Sequence, residues 1–433
     1  MSRAVPITSP VTEPPAREAG GGQTRLAELE GFLLALGRGL VLAGAPVSQV
    51  QERLVAVAKA YGAPRARILA FPTFFQVVVE PGRATMTELT RHPNGMLRLD
   101  QVAALYGLVR RAETGQVPAA EGPALVARII AMRRPHGIPV IVAGYVVVTV
   151  GVSLLLRSSP ADLLLAALLS PIVAALRLLG ARWDSLRTIL PALASLLVAG
   201  LAFLAVDLLG VHADLRAVIA PLVTLLPGVS VTMGVLEVSA GDLVTGSSRL
   251  VAGMLQLLLL AFGILAAAHA PGAPTAPRLV GTPQDLLGIW APWLGVLVYG
   301  LGITVYKSAP RRLVGWLLFV LYAAWIAQML GARLFGGYAS GFVGALVMTI
   351  VAFAVERLRS GPPALVSFLP GFWLLVPGAL GLTGLTSYLT SPQAAGPRDL
   401  LSTLAAVIAI ALGVLCGYPI FQSVSRFLPG TDP

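Results

Sequence analysis

The chain has 433 residues, of which 56% are hydrophobic and only 12% are charged, and its mean hydropathy is +0.82. Soluble domains carry about 25% charged residues, so this composition excludes a soluble globular protein and predicts a polytopic membrane protein. The net charge of +11 comes almost wholly from arginine. These arginines are spread along the chain rather than clustered on one face, so they indicate membrane loops and argue against a nucleic-acid partner.

The first part of the chain lacks any apolar run long enough to span a bilayer. Residues 1–23 are rich in proline and glycine and predict a disordered tail. Residues 24–137 predict a small cytoplasmic α+β domain, with a strand at 73–80 where β-branched and aromatic residues end at Pro81-Gly82. Helices are predicted in this domain at 24–43, 46–61, 99–113 and 123–133.

From Ile138 onward, apolar windows of near 20 residues recur, which is the length that a ~30 Å hydrocarbon core requires. They form a first five-helix membrane unit within 138–270 and a second within 286–422. The ten predicted crossings lie at about 138–156, 160–180, 189–208, 217–236, 249–268, 287–305, 313–330, 334–355, 364–385 and 400–421.

The distribution of cations gives the orientation of these crossings. With residues 24–137 in the cytoplasm, the predicted inner loops hold Arg177, Arg182, Arg187, Arg249, Lys307, Arg311, Arg312, Arg357, Arg359 and Arg426. The predicted outer loops hold only Arg157, Arg216, Arg278, Arg333 and Arg398. Cytoplasmic loops carry the excess of Lys and Arg, so both termini are predicted to face the cytoplasm.

A Pro-Gly pair interrupts one apolar segment in each unit. Pro227-Gly228 lies in the fourth predicted crossing and Pro377-Gly378 in the ninth; an earlier proline precedes each pair, Pro221 in one unit and Pro370-Gly371 in the other. Because five is odd, a second copy of such a unit enters the membrane upside down. Matched helix breaks in two inverted repeats mark a transporter's binding site. The alternative is that Pro and Gly are simply commoner in membrane helices.

The densest polar stretch near the membrane follows the first break. It contains Ser230, Thr232, Glu237, Asp242, Gly246 and Arg249, and Ser387 follows the second break in a similar position. Ionisable side chains at membrane depth cost ~2.5–3.5 kcal/mol and mark function by default. A broken helix can present free N–H groups to a carboxylate, while Glu237 or Asp242 binds an ammonium group or a proton.

Two further properties of this stretch are predicted from spacing. In a continuous helix, Asp242, Gly246 and Arg249 share one face, and Gly241 and Gly246 allow a backbone or a small substrate to approach closely. The alternative is that Asp242 and Arg249 form an interfacial ion pair of small energetic value. Glu237 has no cation near it in the sequence.

Enzyme and metal motifs are nearly absent from the sequence. The chain has no GxSxG, HExxH or Walker A pattern, and its four histidines lack metal-ligand spacing. We therefore predict no catalytic residues, no metal site and no cofactor. One alternative is a membrane-anchored hydrolase that uses the N-terminal domain through Glu52, Glu80, His92 and Asp100; another is a scaffolding membrane protein, in which paired helix breaks would have no purpose.

Residues 226–250 resemble the signature of the bacterial threonine/serine exporter family. The matching positions are Pro227, Gly228, Thr232, Gly241, Gly246, Arg249 and Leu250. Glu237 stands at the family's acidic position and Thr245 at its serine. The predicted architecture is also similar to that of the family, with a cytoplasmic N-terminal part followed by two five-crossing units.

The resemblance implies export of threonine and serine across the bacterial cytoplasmic membrane, driven by the proton gradient, with a small amino acid, the bilayer and a proton as partners. Some relatives are linked to dicarboxylate export, which leaves a dicarboxylate exporter as an alternative. On this basis Glu237 is the predicted acid for a proton or ammonium group, Thr232 a hydrogen-bonding residue for the substrate, and Arg249 a carboxylate or structural partner. A homo-oligomer is compatible with the sequence.

Overall fold

The computed structural model describes residues 16–71, 74–79, 86–89, 96–210, 215–270, 287–358, 360–375 and 396–425. Within these ranges the chain forms fifteen α-helices and three β-strands. Seven of the described helices are long and apolar enough to cross a membrane, or eight if one bent helix pair counts as a single span. The predicted helical, multi-pass membrane architecture is confirmed, whereas the count of ten crossings stays a prediction.

The N-terminal part of the chain folds as helices around a small sheet. Its helices are α1 (Ala16–Leu42), α2 (Val47–Ala60), α3 (Leu99–Glu113) and α4 (Gly122–Ile130). Strands β1 (Arg67–Ala70), β2 (Phe74–Val78) and β3 (Met86–Leu89) pair antiparallel in that order, with Arg67 opposite Val78 and Phe74 opposite Leu89. Helix α1 packs against α2, α4 and β2, and burial of its apolar face, including Phe32, Leu33 and Leu36, holds these elements together.

Two predictions for this part need correction. Helix α1 begins at Ala16, so residues 16–23 are helical where the sequence predicts a disordered tail. The buried leucines further along α1 anchor one continuous helix, and packing of this kind stabilises turns of weak intrinsic helix propensity. The sequence also predicts only the central strand, β2, because β1 and β3 have four residues each and lack a β-branched run.

The first group of membrane helices follows the predicted boundaries closely. It consists of α5 (Ile138–Leu155), α6 (Pro160–Gly180), α7 (Asp184–Leu209), α8 (Leu215–Leu222), α9 (Gly228–Ser239) and α10 (Leu243–Ala268). Ser159 starts α6 with a capping box to Asp162. A short 3-10 turn, Val223–Leu225, extends α8, and the path then bends by 58° into α9.

The second group of membrane helices contains two short helices. It consists of α11 (Ala291–Tyr306), α12 (Val314–Phe335), α13 (Gly337–Glu356), α14 (Ala364–Leu374) and α15 (Gly396–Ser425). Helices α11 and α14 are apolar, but at 16 and 11 residues they fall below spanning length. The predicted crossing at 364–385 is described only as far as residue 375, so Pro377, Gly378 and Ser387 lie outside the described residues.

The two groups meet where α5 and α11 pack against each other in antiparallel orientation. A Cβ atom on Gly151 would lie 2.3 Å from the Tyr299 nitrogen, and one on Gly144 would lie 2.9 Å from the Tyr306 nitrogen. From the other helix, a Cβ atom on Gly302 would lie 2.6 Å from the Val148 nitrogen. Glycine at these positions lets the two backbones touch, which is how helices associate tightly inside a membrane.

The same kinds of helix contact occur in both groups. In the first group α5 packs on α6, α6 on α7 and α7 on α10; in the second group α11 packs on α12, α12 on α13 and α13 on α15. Helix α8 contacts α5, α6 and α7, while α14 contacts α11, α12 and α13. Helix α9 reaches across to contact α14 and α15.

Candidate functional site

The break between α8 and α9 is the centre of the candidate site. Leu226 is extended, with φ −68° and ψ 132°, and Pro227 precedes the first residue of α9. Proline has no N–H and cannot continue the helical hydrogen bonds, so carbonyl groups before the break need other donors in an apolar surrounding. The described structure supplies them from side chains of three neighbouring helices.

Three carbonyls at or just before the break accept side-chain hydrogen bonds, each from a different helix. Tyr145 of α5 donates its hydroxyl proton to the Pro221 carbonyl at 2.7 Å. Arg177 of α6 donates from Nη1 to the Thr224 carbonyl at 2.7 Å, and Gln256 of α10 donates to the Leu225 carbonyl. These hydrogen bonds stabilise the bent backbone at the break, because they supply partners for three of its carbonyl groups.

The Thr224 side chain joins two of these donors. Its Oγ1 lies 2.9 Å from Arg177 Nη1 and 2.9 Å from Tyr145 Oη. Because the Tyr145 proton goes to the Pro221 carbonyl, the Thr224 hydroxyl is the donor to Tyr145. The sequence predicts Arg177 as an inner-loop cation and gives no sign of its contact with the break, since only the fold brings α6 beside residue 224.

The second group repeats part of this arrangement. Tyr299 of α11 donates to the Pro370 carbonyl at 2.7 Å, and Gln328 of α12 donates to the Leu375 carbonyl at 3.4 Å. Pro370-Gly371, however, lies inside α14 without breaking it, so the prediction of a helix break at this pair is wrong. A hydrogen bond to the Pro370 carbonyl and close packing of Gly371 against Met348 support a continuous helix there.

Glu237 lies at the junction of three elements. Its Oε2 is 3.0 Å from Arg249 Nε in an ion pair, and its side chain is 1% exposed while that of Arg249 is 19% exposed. Its Oε1 accepts a hydrogen bond at 3.2 Å from the Val47 amide, the first residue of α2. Arg249 therefore pairs with Glu237 and not with Asp242, and the first turn of α2 sits on the same carboxylate.

The helix pair α9–α10 brings Glu237 and Arg249 together. A Cβ atom on Gly246 would lie 2.6 Å from the Gly234 carbonyl oxygen, so the two helices cross in contact at these glycines. Gly241 plays a different part from the predicted close packing: nothing lies within 4 Å of its Cβ position, and its φ of +94° makes the turn between the helices. The chain is thus not one continuous helix here.

The other predicted residues of this stretch occupy distinct positions. Thr232 is buried, and its Oγ1 has no hydrogen-bond partner among the described residues. Ser230 is half-buried in the first turn of α9. The Asp242 amide donates to the Glu237 carbonyl at 2.8 Å, and the Asp242 carbonyl accepts from the Gly246 amide.

A second cationic group, missed by sequence analysis, lies where the two helix groups meet. Lys307 follows α11, and its Nζ lies 5.1 Å from the centroid of the Tyr306 ring and 5.2 Å from that of Trp373 in α14. Burial, together with the charges of Arg177 and Arg134, lowers the pKa of Lys307 to about 7. Among the described residues, neither Lys307 nor Arg177 forms an ion pair with a carboxylate.

The residues of the hydrolase alternative are described only in part. Glu52 is exposed, Asp100 is paired with Arg98 at 2.9 Å, and Glu80 and His92 lie outside the described residues. In the same part of the chain, no three His, Cys, Asp or Glu side chains are grouped as a metal site would need. Of the four N-terminal residues considered for a hydrolase, only Glu52 and Asp100 therefore lie in the described part of the chain.

Part of the chain matches a model of a known protein family. A family model described as a threonine/serine exporter matches residues 31–270, which extends from α1 to the end of α10 and covers more than half of the chain. No curated protein and no solved structure matches. The matched region includes the α8–α9 break, Glu237 and Arg249. The chain therefore belongs to the threonine/serine exporter family.

Proposed function

We propose that the protein is a secondary transporter that exports threonine and serine across the cytoplasmic membrane by alternating access, coupled to protons. The proposal rests on the α8–α9 break, whose carbonyls are bound by Tyr145, Arg177 and Gln256 while α9 contacts α14 of the other helix group. Broken helices of this kind line the substrate sites of secondary transporters. Family membership is the support for threonine and serine as substrates.

Two inverted five-helix units underlie the proposed mechanism. Three observations support them: the helix contacts of the first group recur in the second, α5 and α11 pack antiparallel, and Tyr145 and Tyr299 bind equivalent proline carbonyls. An odd number of helices per unit requires opposite orientations. Rocking of one unit against the other about the glycine-lined α5–α11 contact would open the site to each side in turn.

The orientation follows from the cation bias of the loops. We place both termini and residues 24–137 in the cytoplasm because predicted inner loops carry the excess of arginine. Helix α2 is then on the cytoplasmic side of the membrane helices. Its contact with Glu237 in α9 therefore lies at the inner end of the broken span.

Helix α2 closes the cytoplasmic route to the site in this conformation. It binds Glu237 of the first unit through the Val47 amide, and its Arg53 lies 3.4 Å from Glu356 at the end of α13 in the second unit. A proton or substrate that displaces α2 from Glu237 or Glu356 therefore weakens the connection that α2 makes between the two units. Glu237 takes up a proton or the substrate ammonium group, and this weakens its hold on Val47 and Arg249.

The remaining predicted residues have supporting roles. Thr232 hydrogen-bonds the substrate, which agrees with its buried and unpartnered hydroxyl among the described residues. Ser230, Asp242 and Ser387 contribute polar groups near the two Pro-Gly sites. Arg249 balances the charge of Glu237 when no substrate ammonium group is present.

A dicarboxylate exporter is the second candidate, and one observation favours it. Arg177 at the break and Lys307 near it are two cations without a carboxylate partner in the described part of the chain. A substrate with two carboxylates requires more cationic contacts than Arg249 alone provides. This candidate predicts that succinate outcompetes threonine.

Counterflow in proteoliposomes tests the proposal. Vesicles that contain the purified protein are loaded with unlabelled threonine, and entry of labelled threonine is followed at controlled internal and external pH. We expect accelerated entry relative to protein-free vesicles, competition by serine, and a rate that depends on the pH gradient. Absence of counterflow with every small amino acid, together with counterflow of labelled succinate, would replace the first candidate by the second.

A further inference from the structure

Two half-buried cations are contacted by neutral groups. Arg177 Nη1 donates hydrogen bonds to the carbonyl and the hydroxyl of Thr224, and Lys307 Nζ lies near the rings of both Tyr306 and Trp373. Neither arrangement supplies a negative charge. A cation that has lost part of its hydration and has no counter-charge is favourably placed to bind an anion.

The positions of these cations connect the break to the second helix group. Tyr145, which hydrogen-bonds Thr224, packs edge-on against Tyr306 with ring centroids 5.0 Å apart. Tyr306 in turn lies under Lys307. Arg177 and Thr224 belong to the first group, whereas Tyr306, Lys307 and Trp373 belong to the second, so a ligand at this cluster touches both.

We propose that Arg177 and Lys307 bind the carboxylate of the transported substrate. The inference rests on the proposed transport function and specifies which side chains recognise the acid group. Arginine carries five N–H donors and lysine three, and the described hydrogen bonds of Arg177 use only its Nη1. A carboxylate has two oxygens that accept charge-assisted hydrogen bonds from such donors.

The predicted carboxylate partner, Arg249, is engaged elsewhere. Its Nε is 3.0 Å from Glu237, so its charge is already balanced in this conformation. Arg177 and Lys307 have no acidic partner among the described residues, and they lie at the break itself and at its boundary with α14. Binding of a carboxylate there draws the two helix groups together around one negative charge.

Lys307 offers a clean test because the chain has only one other lysine, Lys59. Lys59 is exposed on α2, which makes Lys59→Gln a matched control for Lys307→Gln. The probes are labelled threonine and its carboxamide, threoninamide, which keeps the ammonium and hydroxyl groups but has no carboxylate. Unlabelled threonine and threoninamide are compared as competitors of labelled threonine counterflow in proteoliposomes. Competition by succinate is measured in a separate experiment.

The expected result is a change in discrimination. Wild type and Lys59→Gln prefer threonine to threoninamide by about 10- to 100-fold, the range expected for loss of a charge-assisted contact. Lys307→Gln loses most of this preference, and Lys307→Arg retains it. Succinate competition that also depends on Lys307 assigns the same subsite to a dicarboxylate.

The outcome that overturns the inference differs from the failure of the proposed function. If wild type transports threonine but accepts threoninamide equally well, the carboxylate subsite is wrong and transport stands; this holds even if Lys307→Gln does not fold. Unchanged discrimination in a folded Lys307→Gln protein has the same meaning. If wild type transports neither threonine nor serine, the proposed function fails first.

Discussion

Replacing Glu237 by glutamine tests the junction between α2, α9 and α10. Glutamine has nearly the same shape and keeps an oxygen that can accept from the Val47 amide. It removes the negative charge that faces Arg249 at 3.0 Å. Breaking a buried ion pair costs about 3–5 kcal/mol, and because Arg249 is partly exposed we expect about 2–3 kcal/mol of lost stability at this site.

The assay combines stability with local exchange. Thermal unfolding in detergent is compared for wild type, Glu237→Gln, Arg249→Gln and the double variant, with exposed Glu52→Gln as control. Each single change should lower the unfolding temperature, and the double variant should lose less than the sum, because residues in contact couple by about 0.5–3 kcal/mol. Hydrogen exchange at the Val47 amide should rise in Glu237→Gln, since its acceptor loses charge.

Transport measurements complete this test. With Glu237 as the proton- or ammonium-binding acid, Glu237→Gln abolishes the dependence of threonine efflux on the proton gradient. Intact proton-coupled threonine efflux in vesicles at normal protein levels would refute the assigned role. Additive stability losses in the double variant would refute the ion pair as the source of the effect.

Three further predictions concern the helix contacts and the cation cluster. Tyr145→Phe and Tyr299→Phe each leave a proline carbonyl without its donor and should each cost about 1–3 kcal/mol in unfolding experiments; an unchanged melting temperature in both would contradict the assigned hydrogen bonds. Gly151→Ala should force α5 and α11 apart and reduce transport, because the new Cβ atom would lie 2.3 Å from the Tyr299 nitrogen. The control Gly107→Ala should fold and transport normally, because no atom lies within 4 Å of its Cβ position. Burial and neighbouring guanidinium groups lower the pKa of Lys307 to about 7, so the affinity for threonine should fall as pH rises through 7, because the Lys307 ammonium group loses its charge. Lys307→Arg should flatten this pH profile, and an identical profile in the variant would exclude Lys307 as its cause.

The first break shows how far local sequence rules reach. Pro227-Gly228 lies in an apolar segment, and both the missing amide of proline and the apolar surroundings can be read from neighbouring residues. The structure has the predicted interruption, with a 58° bend. The same rule is wrong for Pro370-Gly371, which continue α14, because a local rule does not include the side chains that stabilise a proline inside a helix.

Composition and apolar spacing by themselves determined that this chain is a helical, multi-pass membrane protein, because the cost of placing polar groups in hydrocarbon acts on every segment separately. The signature after the first break also indicated the family. Only the tertiary structure decided that Glu237 meets both Arg249 and the start of α2, that Arg177 reaches Thr224, and that Lys307 lies against Trp373. These partners are 12, 190, 47 and 66 residues apart in the chain, and their contacts depend on which helices pack together, a property of the whole fold that no single segment carries.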